Sequence, residues 1–369
     1  YLPSLPAMAD YFSASLPMVQ MGLTTSMIGL ALGQIFFGPL SDKYGRRPLL
    51  LVSMLLFIVS TLFCLFAPDI YSFVTLRLIQ GIAGAGGIVI SRSVAIDKFS
   101  GKELAKMLAV IGAINGVAPV AAPVIGGLLT GSVGWQGIFM ILLFIGILLG
   151  IGCIRFKESL PAEKRSKTGV WATFRSFGII VHNRRYMLYV FQLAFAQGIL
   201  FAYIASSPFI IQQHYGFSPF AFSICFAVNA VAIGVAAALS VKFRRTENGT
   251  LTGCVGMLVF AVLQMAALYS GCGFWTYELL MFALLFMMGL TFTASTTLAM
   301  DCERRYAGAA SALLGALCFA SGGIVSPLVG LGDILISTGV TFVICAVCSL
   351  LCALWAVKRT GPKVALCRI

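Results

Sequence analysis

Apolar runs near 20 residues long recur along almost the whole chain, separated by short polar interruptions. A helix that crosses a bilayer needs about 20 such residues. The pattern predicts eleven spans: 17–40, 48–67, 70–92, 104–130, 135–154, 187–210, 219–241, 250–270, 275–299, 307–330 and 334–357. The odd number predicts one further helix upstream, with Leu2-Pro3-Ser4-Leu5-Pro6 as its outer end.

Composition agrees with a membrane solvent. Of 369 residues, 60% are hydrophobic and 10% charged, and the mean hydropathy is +0.99. A soluble domain carries about 25% charged residues to cover its surface. The expected class is therefore an all-α polytopic membrane protein.

The net charge of +13 raises the possibility of nucleic-acid binding, but the distribution of charge argues against it. Of the 25 Lys and Arg, 24 fall in alternate interruptions: 41–48, 92–106, 155–185, 242–248, 301–306 and the tail from Lys358. The other interruptions hold none, and carry Asp10, Asp69, Glu278 and Asp333. Cytoplasmic loops are enriched in Lys and Arg. This asymmetry predicts that Tyr1 lies outside and the C-terminus in the cytoplasm. The remaining cation, Arg77, falls inside the 70–92 span.

The longest polar stretch, Arg155 to Arg185, divides the spans five and six, or six and six with an upstream helix. The expected organisation is an N-terminal bundle (1–154), a cytoplasmic loop (155–185) and a C-terminal bundle with a basic tail (186–369). The halves resemble repeats. Leu40-Ser41-Asp42-Lys43-Tyr44-Gly45-Arg46-Arg47 is matched by Leu239-Ser240-Val241-Lys242-Phe243-Arg244-Arg245, and Pro123-Val124-Ile125-Gly126 by Pro327-Leu328-Val329-Gly330. Internal repeats with a midplane site between them are a property of secondary transporters.

The 11 Cys lie mostly within apolar runs, so no disulfide framework is implied. Cys345, Cys348 and Cys352 share a helical face, which small-residue packing explains better than a metal site. His182 and His214 fall in loops. No metal or cofactor is expected, and no cluster of the kind a membrane enzyme needs is present.

The most specific string is Gly38-Pro39-Leu40-Ser41-Asp42-Lys43-Tyr44-Gly45-Arg46-Arg47-Pro48. A carboxylate among three cations suits a charge cluster that makes and breaks at the inner surface, and Gly45 suits a tight turn. The string resembles the motif between the second and third helices of major facilitator transporters. Arg77-Leu78-Ile79-Gln80-Gly81-Ile82-Ala83-Gly84 resembles that superfamily's fourth-helix motif. Ala122-Pro123-Val124-Ile125-Gly126-Gly127 is similar to the end of its fifth-helix antiporter motif. Tyr1-Leu2-Pro3-Ser4-Leu5-Pro6, Gly29-Leu30-Ala31-Leu32-Gly33-Gln34, and Ser206-Ser207-Pro208-Phe209 with Tyr215-Gly216-Phe217-Ser218-Pro219 narrow the resemblance to the Bcr/CflA drug exporters.

The resemblance implies two six-helix bundles in a bacterial inner membrane, alternating access, and export of small amphipathic compounds against protons. Proton-coupled import or export of a small metabolite on the same fold is the alternative, since fold does not set substrate or direction. Oligomeric state is not legible in the sequence. In the gating motif the expected residues are Gly38, Asp42, Gly45, Arg46 and Arg47, with Asp97 as a partner for Arg46. The antiporter-like residues are Pro123, Gly126 and Gly127. No Asp or Glu is placed at the centre of a span, while members of the group carry an Asp just upstream of the Tyr-Leu-Pro string. Arg77 is read either as a coupling cation for such an acid or as a brace on backbone carbonyls, because a midmembrane charge costs at least ~2.5–3.5 kcal/mol and needs a partner. Gln20, Asn115, Gln192, Gln197, Tyr203 and Asn229 are candidates for the substrate cavity, or alternatively for bonds between helices.

Overall fold

In the computed structural model the apolar runs become helices. The structure describes residues 1–99, 101–165, 177–240, 242–243, 245–303 and 307–358; side chains at 16, 164, 307–308 and most positions from 101 to 130 fall outside the described set. A short turn, Leu2–Ser4, leads into α1 (Leu5–Tyr11). The long helices are α2 (Leu16–Tyr44), α3 (Arg46–Leu65), α4 (Ile70–Lys98), α5 (Gly101–Arg155), α6 (Arg184–Phe209), α7 (Pro219–Ser240), α8 (Thr246–Tyr269), α9 (Phe274–Cys302), α10 (Ala307–Leu328) and α11 (Ile334–Lys358). Among the described residues there is no strand, and ten segments are long and apolar enough to cross a bilayer.

Local chemistry sets the boundaries. α5 is two spans joined at Gly134, whose φ of +65° breaks the helix where the sequence separates 104–130 from 135–154. The first arm holds the span expected over 104–130. The interruption expected at 41–48 is almost wholly helical, because α2 runs to Tyr44 and α3 starts at Arg46. Only Gly45 separates them, at φ +102°, a conformation that residues with a Cβ rarely adopt. Asp69 caps α4 by accepting from the Ser72 N–H at 2.8 Å, which satisfies one of the helix's orphan donors. Asn183 does the same for α6 through Tyr186 N–H.

In the first half α4 packs on α2 and α3, and α3 on α5. In the second, α9 packs on α7 and α8, and α8 on α11. The first two pairings thus recur five helices later, and α3 on α5 recurs as α8 on α11 because α5 joins two spans. The halves meet where α2 runs along α10 and α5 crosses α7. Glycines permit the tightest crossings. A Cβ on Gly81 would lie 2.1 Å from Ser26 O, and one on Gly29 2.3 Å from Leu78 O, so α2 and α4 touch backbone to backbone. Gly289 of α9 repeats this against Ile233 O of α7, at 2.5 Å. Without a hydrophobic drive between helices in lipid, such close van der Waals approach is a main source of cohesion.

Large apolar side chains are exposed along α3 (Leu55, Phe63), the second arm of α5 (Phe144, Leu148), α8 (Val259) and α11 (Ile344). A soluble protein would not leave such bands open to water.

Candidate functional site

The charged residues of the Gly38–Pro48 string converge with two segments distant in sequence. Arg46 is buried at the start of α3. Its Nε donates to Asp97 Oδ2 at 2.9 Å, near the end of α4, and its Nη1 donates to Ser41 Oγ at 2.8 Å and to Asp42 Oδ1. The Asp97 side chain is 13% exposed and that of Asp42 47% exposed. Exposed ion pairs contribute little, whereas breaking a desolvated pair is costly. Asp97 is therefore the stronger anchor, and Asp42 an outer partner. Ser159 Oγ also donates to Asp97, at 3.1 Å.

Glu158, three residues past the end of α5, closes the cluster. Its carboxylate accepts from the N–H groups of Arg46 (2.9 Å), Arg47 (3.1 Å), Ser159 and Leu160 (both 3.0 Å). Arg46 and Arg47 open α3, so Glu158 caps the positive end of that helix from across the fold. Burial alone would push its pKa up; the N–H groups of Leu160, Arg46, Arg47 and Ser159 outweigh this and hold it below the ordinary glutamate value. Arg47 Nη2 donates to Ile154 O at 2.9 Å. The ends of α2, α3, α4 and α5 are thereby tied together on one face. Sequence reasoning missed Glu158, because nothing in a long polar stretch marks one carboxylate as a remote helix cap.

Arg77 is buried in α4. Its Nη1 donates to Gln80 Oε1, and Gln80 Nε2 donates in turn to Thr61 Oγ1 at 2.6 Å. Its Nε makes a long contact of 3.4 Å to Gly22 O. The Tyr1 ring lies 4.6 Å from the guanidinium, within cation–π range. Among the described residues Arg77 makes no ion pair.

A cavity of about 410 Å³ opens between α6, α7 and α9. Gln197, Tyr203 and Asn229 line it together with Phe226, Ile233, Leu285, Met288 and Phe292. Tyr203 and Phe226 stack with ring centroids 5.4 Å apart. At one end Asn229 Nδ2 donates to Tyr203 Oη at 3.0 Å and to Glu278 Oε1 at 2.8 Å.

A family model described as the Major Facilitator Superfamily matches residues 1–327. The chain belongs to that superfamily. An uncharacterized MFS-type transporter, YdgK, of Bacillus subtilis is 38% identical over 340 residues, covering 90% of this chain and 84% of the relative. A bicyclomycin resistance protein homolog of Haemophilus influenzae is 29% identical over 343 residues, covering 89% and 84%. A solved bacterial homolog of the human lysosomal transporter Spinster, inward-facing and unoccupied, has a TM-score of 0.77 at 17% identity, covering 97% of this chain and 93% of that one. That likeness concerns the fold. The protein is thus a multi-pass membrane transporter of small molecules and not an enzyme.

Several expectations for this major facilitator protein are corrected. Glu278 is not in an outer loop. It lies one turn inside α9, within the span expected over 275–299 but near its start and not at its centre, and accepts from Asn229 Nδ2. The signal was present in the sequence: Glu278, Leu285 and Phe292 recur every seven residues and share a helical face. Gln20 takes the second of its two readings: its Nε2 ties α2 to Ala205 O of α6 at 3.1 Å, away from this cavity. Gln192 also points elsewhere, donating to Ser349 Oγ of α11 at 3.1 Å, because five residues of helix rotate it well away from Gln197. Asn115 and Pro123 lie outside the described side chains. Gly127 seats α5 on α7: a Cβ there would lie 1.9 Å from Ser223 Oγ. Gly126 faces Pro3 at ordinary contact distance, and a Cβ on Gly38 would meet only Val89, at 3.7 Å.

Proposed function

We propose that this chain is a drug exporter of the bicyclomycin-resistance group, moving small amphipathic compounds outward across a bacterial inner membrane in exchange for protons. The lining of the cavity carries this reading. Its walls are aliphatic and aromatic, with only a few polar groups such as Gln197, Tyr203 and Asn229. A sugar or nucleoside would leave its hydroxyls unpaired against such walls, at about 1–3 kcal/mol for each buried group. An amphipathic drug buries apolar surface there at about 25 cal/mol per Å². The names of relatives point the same way: besides the bicyclomycin resistance homolog they include a chloramphenicol resistance protein of Pseudomonas aeruginosa and the multidrug resistance protein MdtL of Salmonella and Klebsiella.

In this reading the cluster of Arg46, Asp42, Asp97 and Glu158 holds the inner ends of the first-half helices in one state and yields in the other. Arg77 supplies a fixed positive charge that biases proton loading elsewhere in the pathway. The test is uptake of bicyclomycin and chloramphenicol into inside-out vesicles under an imposed pH gradient. Wild-type protein accumulates at least one of the two, and collapsing the gradient stops it. Asp97→Asn loses more transport than Asp42→Asn, because its pair with Arg46 is the more desolvated. Arg77→Lys keeps the charge but loses the planar fork that reaches Gln80 and Gly22, so gradient-driven transport falls while drug binding persists. Drug accumulation that ignores the pH gradient would remove proton exchange from the mechanism.

A further inference from the structure

We propose that the seam between the two halves, where α2 lies against α10, is a binding site for ordered water held by Gln20, Thr24 and Ser326, and that this water lets the seam slide. The inference holds whichever compound is carried.

The first observation is placement. Glycines of α10 fix its register on α2, and the two helices run antiparallel. A Cβ on Gly330 would lie 2.2 Å from Gln20 Oε1 and 3.2 Å from Pro17 Cα. One on Gly323 would lie 2.5 Å from Ile28 Cγ1 and 3.5 Å from Thr24 O, and one on Gly322 would lie 2.8 Å from Met27 Sδ. Ser326 stands one turn from Gly322, Gly323 and Gly330, on the same face of α10. Thr24 stands one turn from Gln20 and one turn from Ile28, on the facing side of α2. Close contacts therefore bracket both hydroxyls, and they share one stretch of the seam with Gln20.

The second observation is that these groups lack protein partners. Gln20 and Ser326 are fully buried and Thr24 is 2% exposed. Gln20 Oε1, Thr24 Oγ1 and Ser326 Oγ make no hydrogen bond within the protein. Neighbouring hydroxyls show the ordinary solution, which is to bond a carbonyl one turn back. Thr25 donates to Met21 O at 2.9 Å, and Ser321 to Cys318 O at 2.7 Å. Thr24 and Ser326 do not do this. Gln20 Nε2 is held by Ala205 O, which fixes the amide and leaves its carbonyl oxygen in the seam beside Gly330. Toward the inner end of the seam, Gln34 lies beside Gly315 and its Nε2 is also unpartnered.

The third observation is chemistry. Residues 17–28 and 322–330 hold no charged side chain, so a buried ion would find no counter-charge. A buried polar group left unpaired at membrane depth costs several kcal/mol. Water is small and neutral, and a buried water makes about three hydrogen bonds. It can donate to Gln20 Oε1, which only accepts, and exchange bonds with two hydroxyls that do both. Direct bonds between side chains would lock α2 and α10 in one register. Water reorients and pairs the same groups as the register shifts.

The test is radiolytic hydroxyl-radical labelling of the full chain in lipid nanodiscs, read by mass spectrometry after brief mixing with ¹⁸O-water. Radicals form from the water that is present, so side chains beside bound water take up oxygen, and slow exchange delays the ¹⁸O. Met27, in the seam, is labelled severalfold more than Met257, which is fully buried inside the second half. Thr24→Val with Ser326→Ala removes both hydroxyls with little change of shape and lowers Met27 labelling severalfold. Thr24→Ser keeps a hydroxyl and keeps the labelling. Met27 labelled no more than Met257, or labelled equally with and without the hydroxyls, overturns the water site. The sliding role is read from spin labels on Ser132→Cys and Gln213→Cys, in a background without the native cysteines. The double variant lowers the population with separated outer ends severalfold, and an unchanged distance distribution overturns that role.

Discussion

Glu158 shows how much one side chain outside the membrane holds in place. Four N–H groups from two segments end on its carboxylate, and two of them open α3. Helix caps of this kind are worth about 1 kcal/mol, so Glu158→Gln lowers thermal stability by a modest, measurable step. The pH dependence follows from its depressed pKa. A carboxylate held below its ordinary value of 4.5 contributes fully above that value, and the contribution fades as pH falls through the lower folded-state value. Melting curves of wild type and Glu158→Gln therefore stay a constant distance apart from pH 6 to 8 and converge below about pH 4.5. Curves that diverge on acidification would contradict this assignment. Arg77 is a different case. Its neighbours are a carbonyl, an amide and an aromatic ring, which brace a charge without neutralising it.

At the scale of helices, crossings set by small residues dominate. Gly81 and Gly84 lie one turn apart on α4 and look interchangeable in the sequence. A Cβ at Gly81 meets the Ser26 carbonyl at 2.1 Å, while one at Gly84 meets only the Leu30 Cδ2 at 3.7 Å. Gly81→Ala therefore forces α2 and α4 apart and costs about 1–3 kcal/mol of the kind overpacked cores show. Gly84→Ala is nearly neutral. Thermal unfolding in detergent, followed by intrinsic fluorescence, separates the two. Gly289→Ala repeats the Gly81 effect in the second half, because Ile233 O stands 2.5 Å from its added Cβ. Equal melting temperatures for Gly81→Ala and Gly84→Ala would mean that α2 and α4 are not locked backbone to backbone.

For the whole molecule the outstanding property is orientation. The alternation of 24 Lys and Arg with loops that hold none predicts that Gln213 faces outward and Asn248 inward. Both side chains are exposed. In a background without the native cysteines, Gln213→Cys is labelled by a membrane-impermeant maleimide in intact cells, and Asn248→Cys only after permeabilisation. The reverse pattern would invert the whole threading and turn the proposed exporter into an importer of the same fold. Beyond orientation, α10 and the residues just past it follow α2 from Gln20 to Gln34: Gly330 lies against Gln20 and Gly315 against Gln34. Any exchange of access between the two sides must slide or tilt this seam.

The periodic loss of polar residues determined the helical class, the spans and their approximate ends, because a bilayer accepts only long apolar helices. The gap between the spans 104–130 and 135–154 and the turn at Gly45 marked two breaks, and the charged string around Asp42 announced a cluster with Arg46 and Asp97. These were legible because they depend on local chemistry and on the solvent. The rest depended on which helix faces meet. Only packing turned Gln197, Tyr203 and Asn229 into one cavity while sending Gln20 and Gln192 to seams between helices. Only packing brought Glu158 to the head of α3 and turned Glu278 from an expected loop residue into an enclosed carboxylate. A sequence gives the angle of a side chain around its own helix, but the neighbour at that angle is chosen by how all the helices pack, where backbone contacts such as Gly81 on Ser26 leave little freedom.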